Sequence, residues 1–250
     1  MKISLLFPCK NQAEKLMKNL QEEVLPYFDK LGVTYDCIII NDHSDEENNR
    51  IFEEKMKGMP LQVKLITNPR DGGKGNAVRA GIEAADADYV LFMDSDLATD
   101  LKAMELILPD LGKYDAFMAS RDIKGAVVNP KQTFGRRIFH YGSRTLIHWT
   151  FHFKQIKDTQ CGFKCFRAKL AKEMAKRQII GGFAFDVEYC YFLELNGYKI
   201  KEIPVYWRND ADSSIKNATK AGKSFYKDMK KVKKNKKAYI LTPKEKEALC

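Results

Sequence analysis

The chain has 250 residues, 44% of them hydrophobic and 30% charged, which is the make-up of an ordinary folded soluble protein with a sizeable core. No apolar run approaches the roughly 18 residues needed to span a bilayer. The opening Met1-Lys2-Ile3-Ser4-Leu5-Leu6-Phe7-Pro8 is too short for a signal peptide, so a cytoplasmic location is expected. The net charge is +10, but twelve lysines against three acids fall from Lys216 onward, which leaves the first 215 residues at +1 and excludes general polyanion binding by the globular part.

The first 120 residues alternate strand and helix. Ile3–Phe7 is a short apolar run, and residues 11–28 carry Leu16, Leu20 and Val24 at helical spacing. Cys37–Ile40 is a continuous apolar run, as expected of a strand buried on both faces. A polar helix is predicted over 46–57, a strand over 63–66, a small-residue helix over 76–85 and a strand over 89–93. A helix over 101–111 and a strand over 116–119 follow. Repeated strand–helix units of this kind predict a mostly parallel α/β sheet with helices on both faces. Beyond Arg121 a Gly/Pro/Asn stretch leads to an aromatic, basic helix over 134–153. Residues 160–166 read as strand, 185–195 as helix and 200–207 as strand.

Ligands of open α/β sheets bind beyond the carboxyl ends of the strands. Those ends are polar here: Pro8-Cys9-Lys10-Asn11, Asn41-Asp42-His43-Ser44-Asp45, Asn68 to Asn76, Asp94-Ser95-Asp96 and Ser120-Arg121. Asp94 and Asp96 follow an apolar strand, and in extended geometry residues i and i+2 point the same way. Both carboxylates are therefore expected to face one Mg²⁺ or Mn²⁺, a hard cation that bridges phosphate oxygens. Gly72-Gly73-Lys74-Gly75-Asn76-Ala77 resembles a phosphate-binding turn, with backbone N–H groups and a helix N-terminus offered to an anion. It lacks the Walker A pattern, which disfavours a nucleoside triphosphatase. Asp42 at a strand end suits a nucleobase or ribose contact; the alternative role of capping the next helix falls better to Ser44 or Asp45. The cysteines (Cys9, Cys37, Cys161, Cys165, Cys190 and Cys250) form no CxxC pair and read as reduced, buried thiols.

In this order the elements resemble glycosyltransferase family 2. Pro8 and Asn11 are similar to its opening P-x-x-N, Asn41 to Asp45 to its xDDxSxD segment with His43 in place of the second Asp, Gly73 to Ala77 to its G-K-G-x-A turn, and Asp94-Ser95-Asp96 to its D-x-D. Ser120-Arg121, Arg136-Arg137, Asp158-Thr159-Gln160-Cys161-Gly162-Phe163-Lys164 and Phe185-Asp186-Val187-Glu188 resemble the polyprenyl-phosphate branch, and the Asp158 to Lys164 string is particularly like its dolichyl-phosphate glucosyl enzymes.

The resemblance implies a GT-A fold over residues 1–215, followed by a basic tail over 216–250. It implies an inverting, metal-dependent hexosyl transfer from a nucleotide sugar, UDP-glucose being favoured, to a polyprenyl phosphate. Pro8, Asn11, Asp42, Gly73, Lys74, Asp94 and Ser95 would bind the donor, with the metal on Asp94 and Asp96. An acceptor phosphate is already nucleophilic and needs placement, which bidentate contacts from Arg121 and Arg136, with Arg137 as substitute, would supply. Asp186 is expected at the reaction centre as a base or an orienter of acceptor or sugar. In the tail, Phe225, Met229 and Val232 share one face of a lysine-rich helical stretch, so an anionic membrane surface is the expected partner, on the cytoplasmic side. Transfer to a glycan or protein hydroxyl is the alternative. A sugar nucleotidyltransferase would carry its phosphate loop after the first strand, where Pro8-Cys9-Lys10-Asn11 stands, and nucleic-acid binding is disfavoured by the neutral globular part.

Overall fold

The computed structural model describes residues 1–129, 134–208 and 218–249, with the side chains of 134–141 and 218–221 outside the described part. In chain order the elements are β1 (Lys2–Cys9), α1 (Ala13–Asn19), α2 (Leu25–Leu31), β2 (Thr34–Asn41), α3 (Glu46–Met56), β3 (Val63–Thr67), α4 (Lys74–Ala84), β4 (Tyr89–Met93), α5 (Ala103–Ile107) and β5 (Ala116–Ser120). They continue as β6 (Val127–Asn129), α6 (Phe134–Phe151), β7 (Phe163–Arg167), α7 (Ala168–Arg177), α8 (Phe185–Asn196), β8 (Ile200–Pro204), β9 (Tyr206–Arg208), α9 (Ala218–Lys234), α10 (Lys236–Tyr239) and α11 (Pro243–Leu249).

Seven strands form one sheet in the order β3-β2-β1-β4-β7-β5-β8. All its pairings are parallel except those of β7, which runs antiparallel between β4 and β5. The order reverses between β1 and β4, and this switch point opens the crevice where such sheets bind ligands. Period-2 alternation divides each central strand between two cores. Leu6, Ile38, Ile40, Val90 and Phe92 face α4, α7 and α8, whereas Leu5, Phe7, Ile39, Leu91 and Met93 face α1, α2 and α5. Short β6 and β9 pair separately.

The predicted helix over 101–111 ends at Ile107 and tightens into a 3₁₀ turn over Leu108–Asp110. Pro109, lacking an N–H, cannot continue the α-helical ladder. The expected strand over 200–207 is divided at Val205 between two sheets. Helix α7, which was not anticipated, carries Leu170, Ala171, Met174 and Ala175 inward at helical spacing.

The lysine-rich stretch is helical, but its apolar face meets protein. Met229 and Val232 are buried with Tyr239 and Leu241 in the same core as α8, and Phe225 packs against it. Lys233 donates to the Thr150 carbonyl and lies over the rings of Phe151 and Tyr191. The expected membrane-facing role is thereby corrected for Met229 and Val232, whose burial in this core removes them from any lipid surface, while Phe225 is only partly buried. No helix among the described residues is long and apolar enough to cross a membrane.

Candidate active site

The loops after β1, β2 and β3 are fastened to one another. Asn11 adopts φ 53° and donates its N–H to Ser44 Oγ (3.0 Å), while its Oδ1 accepts from Asp45 N (2.8 Å). Asp45 in turn accepts from Asn48 N and caps α3. Pro8 lies in β1 beside Ile40. Asp42 is buried, and its carboxylate accepts from Gly73 N (2.8 and 3.1 Å to its two oxygens) and from Asn68 Nδ2 (2.8 Å). Asp42 thus holds the glycine turn in place, a task not anticipated from its position in the sequence. Gly73 sits at φ 151°, and a Cβ there would meet the Gly181 carbonyl oxygen at 2.4 Å, so only glycine fits.

The turn delivers Lys74 to Asp94: the ammonium lies 2.6 Å from Asp94 Oδ1. Burial by itself lowers the pKa of Lys74, but Asp94, then Asp186 and Asp96, more than offset this and raise it. Ser95 is buried, donating to Gln12 Oε1 (2.9 Å) and accepting from Asn19 Nδ2 at its carbonyl (3.0 Å). The extended geometry expected for Asp94 to Asp96 is not found. β4 ends at Met93; the Leu97 N–H returns to the Asp94 carbonyl (3.1 Å), and Leu97 has φ 50°. The two carboxylates therefore sit in a turn, where strand alternation no longer relates them, and Asp96 accepts from Ala98 N (3.1 Å). Met93 pairs with Phe163, which brings Gly162 alongside Asp94. A Cβ on Gly162 would lie 1.9 Å from Asp94 Oδ2, so the missing side chain makes the room the carboxylate occupies. The Asp94 and Asp96 carboxylates are both partly exposed and offer only oxygen, the donor chemistry that suits Mg²⁺ or Mn²⁺. Among the described residues no group of three or more His, Cys, Asp or Glu side chains forms a complete metal cage.

Beneath this layer lies a buried ion pair. Lys164 in β7 is fully buried, donating to Asp186 Oδ1 (2.5 Å) and to the Cys161 carbonyl (2.7 Å). Phe92 lies near both ammonium groups, 5.2 Å from Lys164 Nζ and 5.9 Å from Lys74 Nζ. Burial raises the Asp186 pKa, and Lys164 and Lys74 oppose the rise. A second pair joins Arg121 to Asp158. Arg121 Nε lies 2.7 Å from Asp158 Oδ2 and Nη2 3.0 Å from Oδ1, while the Arg121 backbone N–H also donates to Oδ2 (3.1 Å). The guanidinium lies 5.3 Å from the Trp207 ring centroid.

A family model described as Glycosyl transferase family 2 matches residues 4–177. The chain belongs to glycosyl transferase family 2. Among its relatives are the dolichyl-phosphate beta-glucosyltransferases of Homo sapiens, 31% identical over 85% of this chain and 69% of the relative, and of Saccharomyces cerevisiae, 27% identical over 85% and 68%. Among solved structures, glucosyl-3-phosphoglycerate synthase from Mycobacterium tuberculosis in complex with UDP superposes with a TM-score of 0.68 at 12% identity, covering 97% of this chain and 82% of that one. The same synthase in complex with Mn²⁺, UDP and phosphoglyceric acid gives 0.68 at 12% identity, covering 97% and 80%. The chain shares the GT-A fold of these neighbours, with a seven-stranded, mostly parallel sheet.

The structure links Asn11 to Asp45, Asp42 to Gly73, Lys74 to Asp94 and Ser95 to Gln12 across the loops at the strand ends. Two of the expected site residues already carry ion-pair partners. Asp158 holds the Nε/Nη2 edge of Arg121, so a bidentate contact to an acceptor phosphate is not available on that edge. Asp186, expected as a base or an orienter, is buried and ion-paired to Lys164 beneath the Lys74–Asp94 contact. The side chains of Arg136 and Arg137 lie outside the described residues. Sequence reasoning left Asp158, Gly162 and Lys164 without a role, although all three fall in the string similar to the glucosyl enzymes. A lysine between Phe163 and Cys165 in a strand run was the available signal, since an unpaired charge is not buried there.

Proposed function

We propose that this family 2 glycosyltransferase transfers glucose, with inversion, from UDP-glucose to a polyprenyl phosphate. The observation that carries the reading is the Asp42-fastened glycine turn that sets Lys74 against Asp94 at the switch point. Its similarity to dolichyl-phosphate beta-glucosyltransferases supports glucose as the sugar and a polyprenyl phosphate as the acceptor. Asp42 and the loop after β1 hold the nucleoside end of the donor, and Lys74 with the turn's backbone N–H groups receives the diphosphate. In that state the Lys74 ammonium exchanges part of its contact with Asp94 for phosphate oxygens. Mg²⁺ or Mn²⁺ on Asp94 and Asp96 would neutralise charge on the departing nucleoside diphosphate. Asp186 and Lys164 keep the floor of the site rigid and electrically balanced.

The acceptor phosphate needs no general base, which suits a site whose Asp186 is ion-paired. Arg136 and Arg137 are the proposed phosphate ligands, with Arg121 reduced to a supporting position. The exposed lysines of α9 and α10, such as Lys227, Lys230, Lys234 and Lys237, are proposed to draw the protein to an anionic surface on the cytoplasmic face, as electrostatics alone. A donor screen tests the reading: UDP-glucose, UDP-N-acetylglucosamine and GDP-mannose are offered with a short polyprenyl phosphate. Glucosyl transfer from UDP-glucose is expected. Transfer to a glycan or protein hydroxyl, with the lipid phosphate untouched, would overturn it.

A further inference from the structure

The backbone of residues 178–182 lies across the glycine turn. The Asn76 N–H donates to the Gly181 carbonyl (3.1 Å). A Cβ on Gly75 would meet the Ile180 carbonyl oxygen at 2.6 Å, and one on Gly181 would meet Asn76 Nδ2 at 2.5 Å. The two segments therefore touch without slack, and a displacement of one moves the other. This strap is held from below by Glu188, a fully buried carboxylate in α8. Glu188 Oε1 accepts from Ile179 N (2.8 Å) and Oε2 from Ile180 N (3.0 Å). Gln178 adds a second fastening, donating from Nε2 to the Ile180 carbonyl (2.7 Å) and accepting from Tyr189 Oη (2.6 Å).

Glu188 has one further partner, and it comes from the far end of the chain. Tyr239 Oη donates to Glu188 Oε1 at 2.6 Å. Tyr239 is itself fixed: its carbonyl accepts from Asn196 Nδ2 (2.8 Å), and Leu241 N donates to Asn196 Oδ1 (2.8 Å). The Tyr239 hydroxyl is one of the three donors that fix the Glu188 carboxylate, so without it the two N–H groups of the strap lose a rigidly placed acceptor.

We infer that Tyr239 is a positioning residue for the donor-phosphate turn, acting through Glu188 and the 178–182 strap on Gly73, Lys74 and Asn76. The C-terminal segment is then a working part of the transferase site, 163 residues from the turn it steadies by the separation of Asn76 and Tyr239. The inference rests on the reading of the glycine turn as the diphosphate site, and the test separates the two.

Tyr239→Phe removes one hydroxyl and keeps the ring. Val232→Ala is the comparison, loosening the same C-terminal packing without touching Glu188. Amide hydrogen exchange is followed on the ligand-free proteins, and UDP affinity with Mg²⁺ is measured by calorimetry. In the wild type, the Ile179, Ile180 and Asn76 amides are expected to exchange as one cooperative unit. In Tyr239→Phe these amides are expected to exchange about tenfold faster, as for loss of one hydrogen bond to a charged acceptor, with β1 and β4 unchanged. UDP affinity falls several-fold, and the donor KM rises with kcat nearly constant. Val232→Ala leaves the Asn76 amide and the UDP affinity as they were. If Tyr239→Phe leaves Asn76 exchange at the wild-type rate, or if Val232→Ala changes it equally, the inference is overturned. If the wild type itself binds no UDP, the donor reading falls, and the exchange data alone decide whether Tyr239 sets the turn. Should Tyr239→Phe fail to fold, separate exchange of Asn76 from Ile179 and Ile180 in the wild type overturns the inference, and cooperative exchange supports it.

Discussion

Arg121→Met separates a structural arginine from an acceptor-binding one. Asp158 is 2% exposed and receives three hydrogen bonds from Arg121, two of them from the guanidinium. Removing that side chain leaves a buried carboxylate whose remaining donors are backbone N–H groups, those of Arg121 and Gln160. Breaking a buried pair from one side costs about 3–5 kcal/mol. For a chain of this size, each kcal/mol shifts Tm by about 2 °C at the low end, so a fall of about 6–10 °C is expected. Asp158→Asn keeps an oxygen for the backbone donors but loses the charge. In the double variant the orphaned charge is gone, so the two losses should fall short of additivity by about 2 kcal/mol. Urea denaturation of the four proteins gives the coupling. Acid sensitivity supplies an independent reading. Burial alone would raise the Asp158 pKa; Arg121 more than reverses this and holds it well below the usual range. The stabilisation is therefore present above the ordinary carboxylate pKa and lost as pH falls from there toward the depressed value. The stability gap between wild type and Arg121→Met should narrow over that acid range. Additive losses and a gap independent of pH would refute the argument, and Arg121 would return to candidacy as a phosphate ligand.

Other outcomes follow from the same geometry. Asp96→Asn, or chelation of the wild type with EDTA, is expected to lower transfer by about two orders of magnitude or more, measured with labelled UDP-glucose; undiminished activity in EDTA would remove the metal from the mechanism. Gly162→Ala should reduce transfer more than tenfold, because its Cβ would stand where Asp94 Oδ2 lies, 1.9 Å away, and crystallography of the variant should find that carboxylate displaced. Deleting residues 218–250 removes the buried Met229, Val232 and Leu241, about 5–9 kcal/mol of apolar burial on the order of the whole stability, so circular dichroism should find the truncated protein unfolded and not merely released from membranes.

Much of the molecule is legible in its sequence because strand and helix periodicities are local. β4 was read at Tyr89–Met93 and β3 within one residue of its limits, since continuous apolar runs bounded by polar loops admit few other foldings. The loops that build the site were also visible, as polar residues at successive strand ends. Tertiary structure alone decided the rest. β7 enters antiparallel between β4 and β5, and that register puts Gly162 beside Asp94 and Lys164 on the face that meets Asp186. The partners of Lys164 and Arg121 lie 22 and 37 residues away, beyond any local pattern. A charged side chain looks the same in the sequence whether it awaits a phosphate or neutralises a buried carboxylate; the packing around it decides which. The amphipathic C-terminal helix poses the same ambiguity, for lipid and a protein core both accept an apolar face, and here Met229 and Val232 go to the core.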